Sequence, residues 1–249
     1  MKKSKGHLFI TGGSRGLGEI LVLAFVRAGW RVSSIARNPI PRNPCGILRL
    51  VGDARFPQDL NRAVAEARRQ NGPITAWINN VGMSAWRSLE KIDEQFWAEM
   101  VDTNLKSALF GAQAAARQMK KGGVILNVSS LAGKRGSANN SAYCAAKFGV
   151  NGITQALAKE LGLRGIRVNA VCPVYTKTPG LQVALENPDS PSRGKDIGSY
   201  LKKFAKEQAA LGRLPEAREV AELCLFLASP AASAITGQCI NVDCGVLPQ

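Results

Sequence analysis

Strand-like and helix-like segments alternate along this chain from residue 7 to residue 243, and nothing else in the sequence restricts its fold as strongly. The strand-like runs are HLFIT (7–11), RVSSIA (31–36), ILRLV (47–51), TAWIN (75–79), GVILNVSS (123–130), IRVNAV (166–171) and QCINVD (238–243). Between them lie EILVLAFVRAG after a glycine-rich turn, a charged stretch around 58–70, and a long segment over 93–119 with Phe96, Met100, Asn104 and Leu105 at helical spacing. Further helices are expected at SAYCAAKFGVNGITQALAKELG (141–162) and EVAELCLFLAS (219–229). A strand joins a parallel neighbour only through a crossover, which a helix supplies, so the alternation predicts βαβ units. The expected architecture is α/β: a single doubly wound domain over residues 1–249, with a mostly parallel seven-stranded sheet and helices on both faces. The stretch 174–212 breaks the pattern with Pro, Gly, Ser and many charges around a helix predicted at 198–210. Such an insertion predicts a mobile substrate lid at about 179–212.

A chain of 249 residues can bury one sizeable core, and its 45% of hydrophobic residues are those of a globular protein. No apolar run reaches the roughly 20 residues needed to span a bilayer, so no membrane partner is expected. In the opening MKKSKGHLFITGG the apolar run is only LFI, short of the roughly 7–15 residues of a secretory core. A buried strand in a cytoplasmic protein is the better reading. The six cysteines (Cys45, Cys144, Cys172, Cys224, Cys239, Cys244) contain no C-x-x-C pair, which predicts small buried residues rather than disulfides or a metal site. With a single histidine, His7, acid–base chemistry must fall to other side chains. The formal charge of +15 favours anionic partners such as nucleotides or anionic substrates. Its basic residues are scattered in short groups (Lys2, Lys3 and Lys5; Lys120 and Lys121; Lys134 and Arg135; Lys202, Lys203 and Lys206), and no nucleic-acid motif accompanies them. Nucleic acid is therefore not expected as a partner.

TGGSRGLG (11–18) stands between the first strand and the first helix. Gly12, Gly16 and Gly18 permit a tight turn, close approach of backbone to a phosphate, and close helix–sheet packing. The helix N-terminus would add free N–H groups and a favourable dipole for a pyrophosphate. The spacing is G-x-x-x-G-x-G, not the G-x-G-x-x-G of the dinucleotide fingerprint. The second strand ends in IARN, with Ala36 where an acidic residue would hold the ribose hydroxyls of NAD. Arg37 follows, and Ser14 and Arg15 lie in the glycine loop. Two guanidiniums and a hydroxyl suit a 2′-phosphate, which favours NADP(H), unless both arginines merely face solvent.

In SAYCAAKFG (141–149), Tyr143 and Lys147 lie four residues apart, on one face of a helix. Alone they could be an ordinary amphipathic pair. Taken in order, TGGSRGLG, the lone Asp53 after the third strand, NNVG (79–82), Asn104, NVSS (127–130), YCAAK (143–147) and ITGQCINVDCG (235–245) resemble the short-chain dehydrogenase/reductase family over essentially the whole chain.

The resemblance implies a Rossmann domain binding NADP(H) and a catalytic tetrad of Asn104, Ser130, Tyr143 and Lys147. Tyr143 would protonate a substrate carbonyl oxygen, or act as base in reverse. A phenol of pKa near 10 needs a neighbouring charge to work near neutrality, and Lys147 would supply it. Ser130 would position the carbonyl while Ser129 supports the turn. Asn104 would sit at a helical distortion holding a water, although an asparagine in an apolar helix can also serve only to satisfy a backbone group. The cofactor would meet Gly12, Ser14, Arg15, Gly16, Leu17, Arg37, Asp53, the Ala54 backbone, Asn80, Val81, Gly82, Tyr143, Lys147, Pro173, Thr176 and Thr178. Asn79 or Asn80 could instead tie neighbouring strands, and Gly18 reads as a packing residue. Val174 and Cys244 replace usual glycines, and Val81 a usual alanine; Val174 is expected to alter the pocket. The implied reaction is NADPH-dependent reduction of a ketone to a secondary alcohol. The substrate would be a small molecule or a 3-oxoacyl group on a carrier protein, with Lys121 and Arg164 as candidate carrier contacts. A dehydrogenase of a sugar or other cyclic alcohol, and an NADP(H)-sensing regulatory protein, are the alternatives. Family members assemble through the two long helices, so a homotetramer or homodimer is expected.

Overall fold

β1 (His7–Thr11) is buried from end to end, with Leu8 and Ile10 in one apolar cluster and Phe9 in another. Side chains alternate across a strand, so a strand apolar at successive positions must be covered on both faces. In this computed structural model, which describes residues 4–38 and 46–248, β1 sits inside a sheet of order β3-β2-β1-β4-β5-β6-β7. Lys2, Lys3 and Cys45 lie outside the described residues. The other strands are β2 (Arg31–Ala36), β3 (Leu48–Val51), β4 (Ala76–Asn79), β5 (Val124–Val128), β6 (Arg167–Pro173) and β7 (Cys239–Val242). Among the described residues every pairing is parallel, which meets the expectation of a mostly parallel seven-stranded sheet.

α1 (Gly16–Arg27) and α8 (Ala217–Ala228) cover one face, where Leu21, Val22 and Phe25 meet Val220, Cys224 and Leu227. α2 (Pro57–Asn71), α4 (Ser107–Gln118) and α5 (Ser141–Gly162) cover the other, around Phe9, Trp77, Ile125 and Val168. The Phe9 and Trp77 rings stack with centroids 4.4 Å apart. Burying one such side chain is worth about 1.5–3 kcal/mol, so these two layers dominate the stability.

The helix expected over 93–119 is interrupted. α3 (Glu94–Val101) and α4 are joined by a π-helical turn, Asp102–Lys106, in which the Ser107 N–H reaches back to the Asp102 carbonyl. The strand expected over 123–130 stops at Val128, because Ser130 instead caps a 3₁₀ turn at Leu131–Gly133.

The expected lid contains two helices, α6 (Pro179–Leu185) and α7 (Ile197–Gln208). Trp86 packs with Ala184, Leu185, Ile197 and Leu201 beneath them. The turn between them is fastened at Asp189, whose carboxylate accepts from the Ser88 N–H at 3.2 Å and from Lys91 Nζ at 3.1 Å. Its backbone carbonyl accepts from Asn139 Nδ2 at 3.0 Å. Buried Ser190 and Ser192 both donate to the Leu185 carbonyl. Among the described residues no helix is long and apolar enough to cross a membrane.

From β1 the sheet grows outward through β2 and β3, then resumes on the other side at β4. Between β1 and β4 the order reverses, and a crevice at the carboxyl ends of such strands is where α/β folds bind ligands.

Candidate active site

The glycine loop forms one wall of that crevice. Gly12 (φ +72°) donates its N–H to the Ile35 carbonyl at 2.8 Å, and a Cβ on it would stand 3.0 Å from Val81 Cγ2. Gly16 (φ +57°) is also left-handed, with Thr178 the nearest neighbour of its missing Cβ, at 3.7 Å. A Cβ on Gly18 would lie 2.0 Å from the Gly12 carbonyl oxygen, so Gly18 is a packing residue. Arg15, at the N-cap of α1, is exposed and gives no side-chain cap, leaving the first N–H groups of the helix without one. Ser14 is half-buried, and the Leu17 side chain packs inward against the first core cluster. This cradle of left-handed glycines before a helix N-terminus fits a pyrophosphate.

The neighbouring strand ends present the other groups. Ala36 closes β2 without a carboxylate, and Arg37 beyond it is exposed. Asp53 binds Arg55 through Nε at 2.9 Å and Nη2 at 2.6 Å. Burial pushes its carboxyl pKa up, but the hydrogen bonds and charge of Arg55, with a smaller contribution from Arg37, hold it below the usual range. The Ala54 side chain is buried in the core, so only its backbone can face a ligand.

On the β4 side, Asn80 Nδ2 donates to the carbonyls of Thr11 at 3.2 Å and Gly12 at 2.9 Å. Asn79 Nδ2 donates to the Ala108 carbonyl at 3.0 Å and Asn127 Oδ1 at 2.8 Å. Both asparagines therefore tie neighbouring elements together, and Val81 packs against the second core cluster. Gly82 is exposed, and a Cβ there would lie 3.0 Å from Asn104 Oδ1 and 3.3 Å from Lys147 Nζ. This bare position is where Asn104 and Lys147 come together.

Asn104 lies in the π-helical turn, buried, donating to the Met100 carbonyl at 2.9 Å and accepting from the Met83 N–H at 3.1 Å. Lys147 is buried on α5 and donates to the Val128 carbonyl at 2.9 Å. Burial pushes its pKa down to about 8. One turn earlier, the Tyr143 ring packs with Phe96, Met100 and Ala142, and Lys147 Nζ stands 5.7 Å from its centroid. Burial pushes the phenol up to about 12 although the Ser130 hydroxyl pulls it down. The resemblance expects the Lys147 charge to lower it; in the protein by itself burial dominates and the phenol stays protonated. Ser130 Oγ accepts from the Ala132 N–H at 3.1 Å, and Ser129 Oγ donates to the Lys147 carbonyl at 3.4 Å, supporting the turn.

Pro173 ends β6. Buried Thr176 donates to the Val174 carbonyl at 3.1 Å, and Thr178 caps α6 by accepting from the Leu181 N–H at 3.2 Å. Val174 packs with Leu131, Ala209, Val246 and Phe204. The sequence-derived catalytic and cofactor candidates thus stand at the carboxyl ends of β1–β6 or on the helices facing them. Lys121 and Arg164 do not: they precede β5 and β6, at the amino ends of the strands, and Arg164 donates to the Ala116 and Met119 carbonyls around the end of α4.

The profile of a family described as enoyl-(acyl-carrier-protein) reductase matches residues 12–247, nearly the whole chain. The chain belongs to the short-chain dehydrogenase/reductase family. A 3-oxoacyl-(acyl-carrier-protein) reductase of Chlamydia muridarum is 31% identical, with 95% of each chain covered. A 3alpha-hydroxysteroid dehydrogenase of Mediterraneibacter gnavus is 32% identical, with 94% of each covered. A 3-ketoacyl-(acyl-carrier-protein) reductase of Brucella melitensis, solved with NADH, superposes with a TM-score of 0.86 at 27% identity, covering 98% of both chains. As a short-chain dehydrogenase/reductase, the chain is an oxidoreductase of a family using nicotinamide cofactors.

Two features of this short-chain dehydrogenase/reductase escape sequence reasoning. Tyr175 and Tyr200, two of only three tyrosines, touch hydroxyl to hydroxyl at 3.2 Å, with Phe204 edge-on to Tyr175. The rarity of tyrosine is the one signal that could have flagged them. The Asp189 clasp is the other, and its only trace is the turn-forming NPDS (187–190).

Proposed function

We propose that this protein reduces a ketone to a secondary alcohol with NADPH, using Ser130, Tyr143 and Lys147 around the carbonyl and Asn104 behind Lys147. The observation that carries the reading is the Tyr143 ring one helical turn from buried Lys147, whose Nζ stands 5.7 Å from the ring centroid, with Ser130 among the groups acting on the phenol. When bound, the cofactor supplies a hydride to the carbonyl carbon. Ser130 orients the carbonyl oxygen by hydrogen bonding, and the Tyr143 O–H gives that oxygen its proton. Lys147, charged below about pH 8, offsets the negative charge that the departing proton leaves on the phenol. Asn104 fixes the backbone beside this pair and is a positioning residue.

The α1 N-terminus with Gly12, Ser14, Gly16 and Leu17 would hold the pyrophosphate, and Arg15 and Arg37 a 2′-phosphate. Asp53 and the Ala54 backbone would face the adenine, Asn80, Val81 and Gly82 the adenosine, and Pro173, Thr176 and Thr178 the nicotinamide side. The Brucella relative's NADH leaves the choice of cofactor to this chain's residues, and Ala36 followed by Arg37 supports NADP(H). The lid over 179–212 would choose the substrate, and cysteines scattered without a C-x-x-C pair suit the cytosol. Exposed Trp97, Leu109 and Phe148 on the long helices support assembly into a homodimer or homotetramer.

The test is NADPH oxidation over a panel of ketones, cyclic ketones and 3-oxoacyl thioesters, for wild type and Tyr143→Phe, with cofactor titration of both. Turnover in the wild type that falls roughly 10²-fold or more in the variant, with NADPH still bound, supports the reading. NADPH binding with no turnover of any carbonyl would move a sensing role ahead of it.

A further inference from the structure

Beyond the cofactor crevice, the ends of β5 and β6 bring together a cation and a hydroxyl pair to which the reaction above assigns no task. Arg135 lies five residues past Ser130, where the chain turns through Leu131–Gly133 and the Arg135 N–H returns to the Leu131 carbonyl at 3.1 Å. At the 3₁₀ rise of about 2 Å per residue, its backbone stays within roughly 10 Å of Ser130. Val128 pairs with Val171, so the segments leaving the two strands run side by side and bring Tyr175 over from β6. The half-buried Arg135 acts electrostatically on both the Tyr175 and Tyr200 phenols. It has no ion pair or side-chain hydrogen bond among the described residues.

Proton counting shows what the tyrosine pair can offer. Two hydroxyls carry two protons, and their mutual bond at 3.2 Å uses one. Burial pushes the Tyr175 phenol up, so it keeps its proton, and the accepting hydroxyl is left with an O–H to donate outward. An unpaired guanidinium within electrostatic reach of a free O–H is a donor set that recognises an oxyanion, and the planar fork of arginine suits a carboxylate. Phe204, Leu201 and Leu181 supply the apolar wall around it.

We propose that Arg135 and the Tyr175–Tyr200 hydroxyl pair form a substrate subsite for a carboxylate, making the preferred substrate a keto acid whose charged end points toward the lid. This rests on the ketone-reduction reading. It adds the class of substrate, and it assigns Tyr200 a part in recognition from the lid side.

The experiment compares kcat/KM for a keto acid with that for its methyl ester, over chains of increasing length between ketone and carboxylate. Wild type, Arg135→Met, Arg135→Glu and Tyr200→Phe are each assayed on both members of every pair. The acid-to-ester ratio is expected to exceed roughly 10 in the wild type at the best length, fall near unity in Arg135→Met, invert in Arg135→Glu and drop part-way in Tyr200→Phe. Calorimetric binding of the matching hydroxy acid and its ester reads the subsite without turnover. Ready turnover of both ketones at a ratio near unity would overturn the subsite and leave ketone reduction standing, as would a ratio unchanged in Arg135→Met. Absence of turnover would sink the reduction reading instead, and equal binding of acid and ester would then overturn the subsite as well.

Discussion

Lys147 Nζ donates to the carbonyl oxygen of Val128 at 2.9 Å, so a buried ammonium is fixed against the last residue of β5. Burial lowers its pKa from 10.5 to about 8, so between those values the unfolded chain binds the proton that the folded one has released. Stability must then rise with pH across that window and gain nothing more from this group above it. Urea denaturation of wild type and Lys147→Met at pH 7 and pH 10 isolates the effect. The wild type is expected to gain on the order of 1–3 kcal/mol relative to the variant. No relative gain would mean that Lys147 is not desolvated.

The same two groups set a pH profile for turnover. Reduction needs protonated Tyr143, which persists up to about pH 12 in the protein alone, so that phenol does not limit the rate near neutrality. Charged Lys147 is lost as pH rises through about 8, and kcat/KM for reduction should fall along that limb. Oxidation of the alcohol needs the phenolate and should instead climb with pH. Stopped-flow rates in both directions check this, and identical profiles would contradict it.

Cofactor choice should respond to Arg37. Arg37→Ala is expected to weaken NADPH binding by roughly 10- to 100-fold, the worth of a charge-assisted hydrogen bond, with little change for NADH. Fluorescence titration of both cofactors decides. Equal losses would mean that Arg37 does not meet a 2′-phosphate.

Asp189 holds the turn between α6 and α7 against Ser88 and Lys91. Asp189→Ala should speed protease cleavage within 186–196 several-fold while shifting Tm little, because the clasp is local and the two core layers are untouched. The Ser88 N–H, then Lys91, lowers its carboxyl pKa below 3.8. The clasp is therefore complete above the ordinary carboxylate range and opens only as pH falls through that lowered value. Limited proteolysis across a pH series reads both effects.

Cys244 occupies a left-handed backbone position, φ +55°, where an L side chain costs about 1–2 kcal/mol. Glycine removes that cost and returns part of it as unfolded-state entropy, so Cys244→Gly should stabilise by up to about 1 kcal/mol. Thermal melts should show a rise of about 2–4 °C.

What could be read from the sequence was what local chemistry repeats. The strands were legible because β1 must be apolar on both faces, and the cradle because Gly12 and Gly16 need positive φ. Tyr143 and Lys147 were legible because four residues make one helical turn. The helical distortion at Asn104 came only through the family resemblance, since an added residue inside a helix leaves no local signature in residue type. The Tyr175–Tyr200 contact was not legible, being made between side chains 25 residues apart by the docking of α7. The direction of the Tyr143 pKa also depends on what surrounds it in space, and spacing alone carries no such information.

The π-helical turn also governs phase. Its wider loop sets the angle at which α4 leaves α3, and each residue of an α-helix turns the face by about 100°. Deleting one residue between 102 and 106 would restore an ordinary helix and rotate α4 by about that amount. Gly111, where a Cβ would already fall 2.0 Å from Asn79 Oδ1, would swing away and a side chain would arrive in its place. The segment is therefore constrained in length as well as composition, because its count of residues keeps Asn104 turned inward and α4 seated on the sheet.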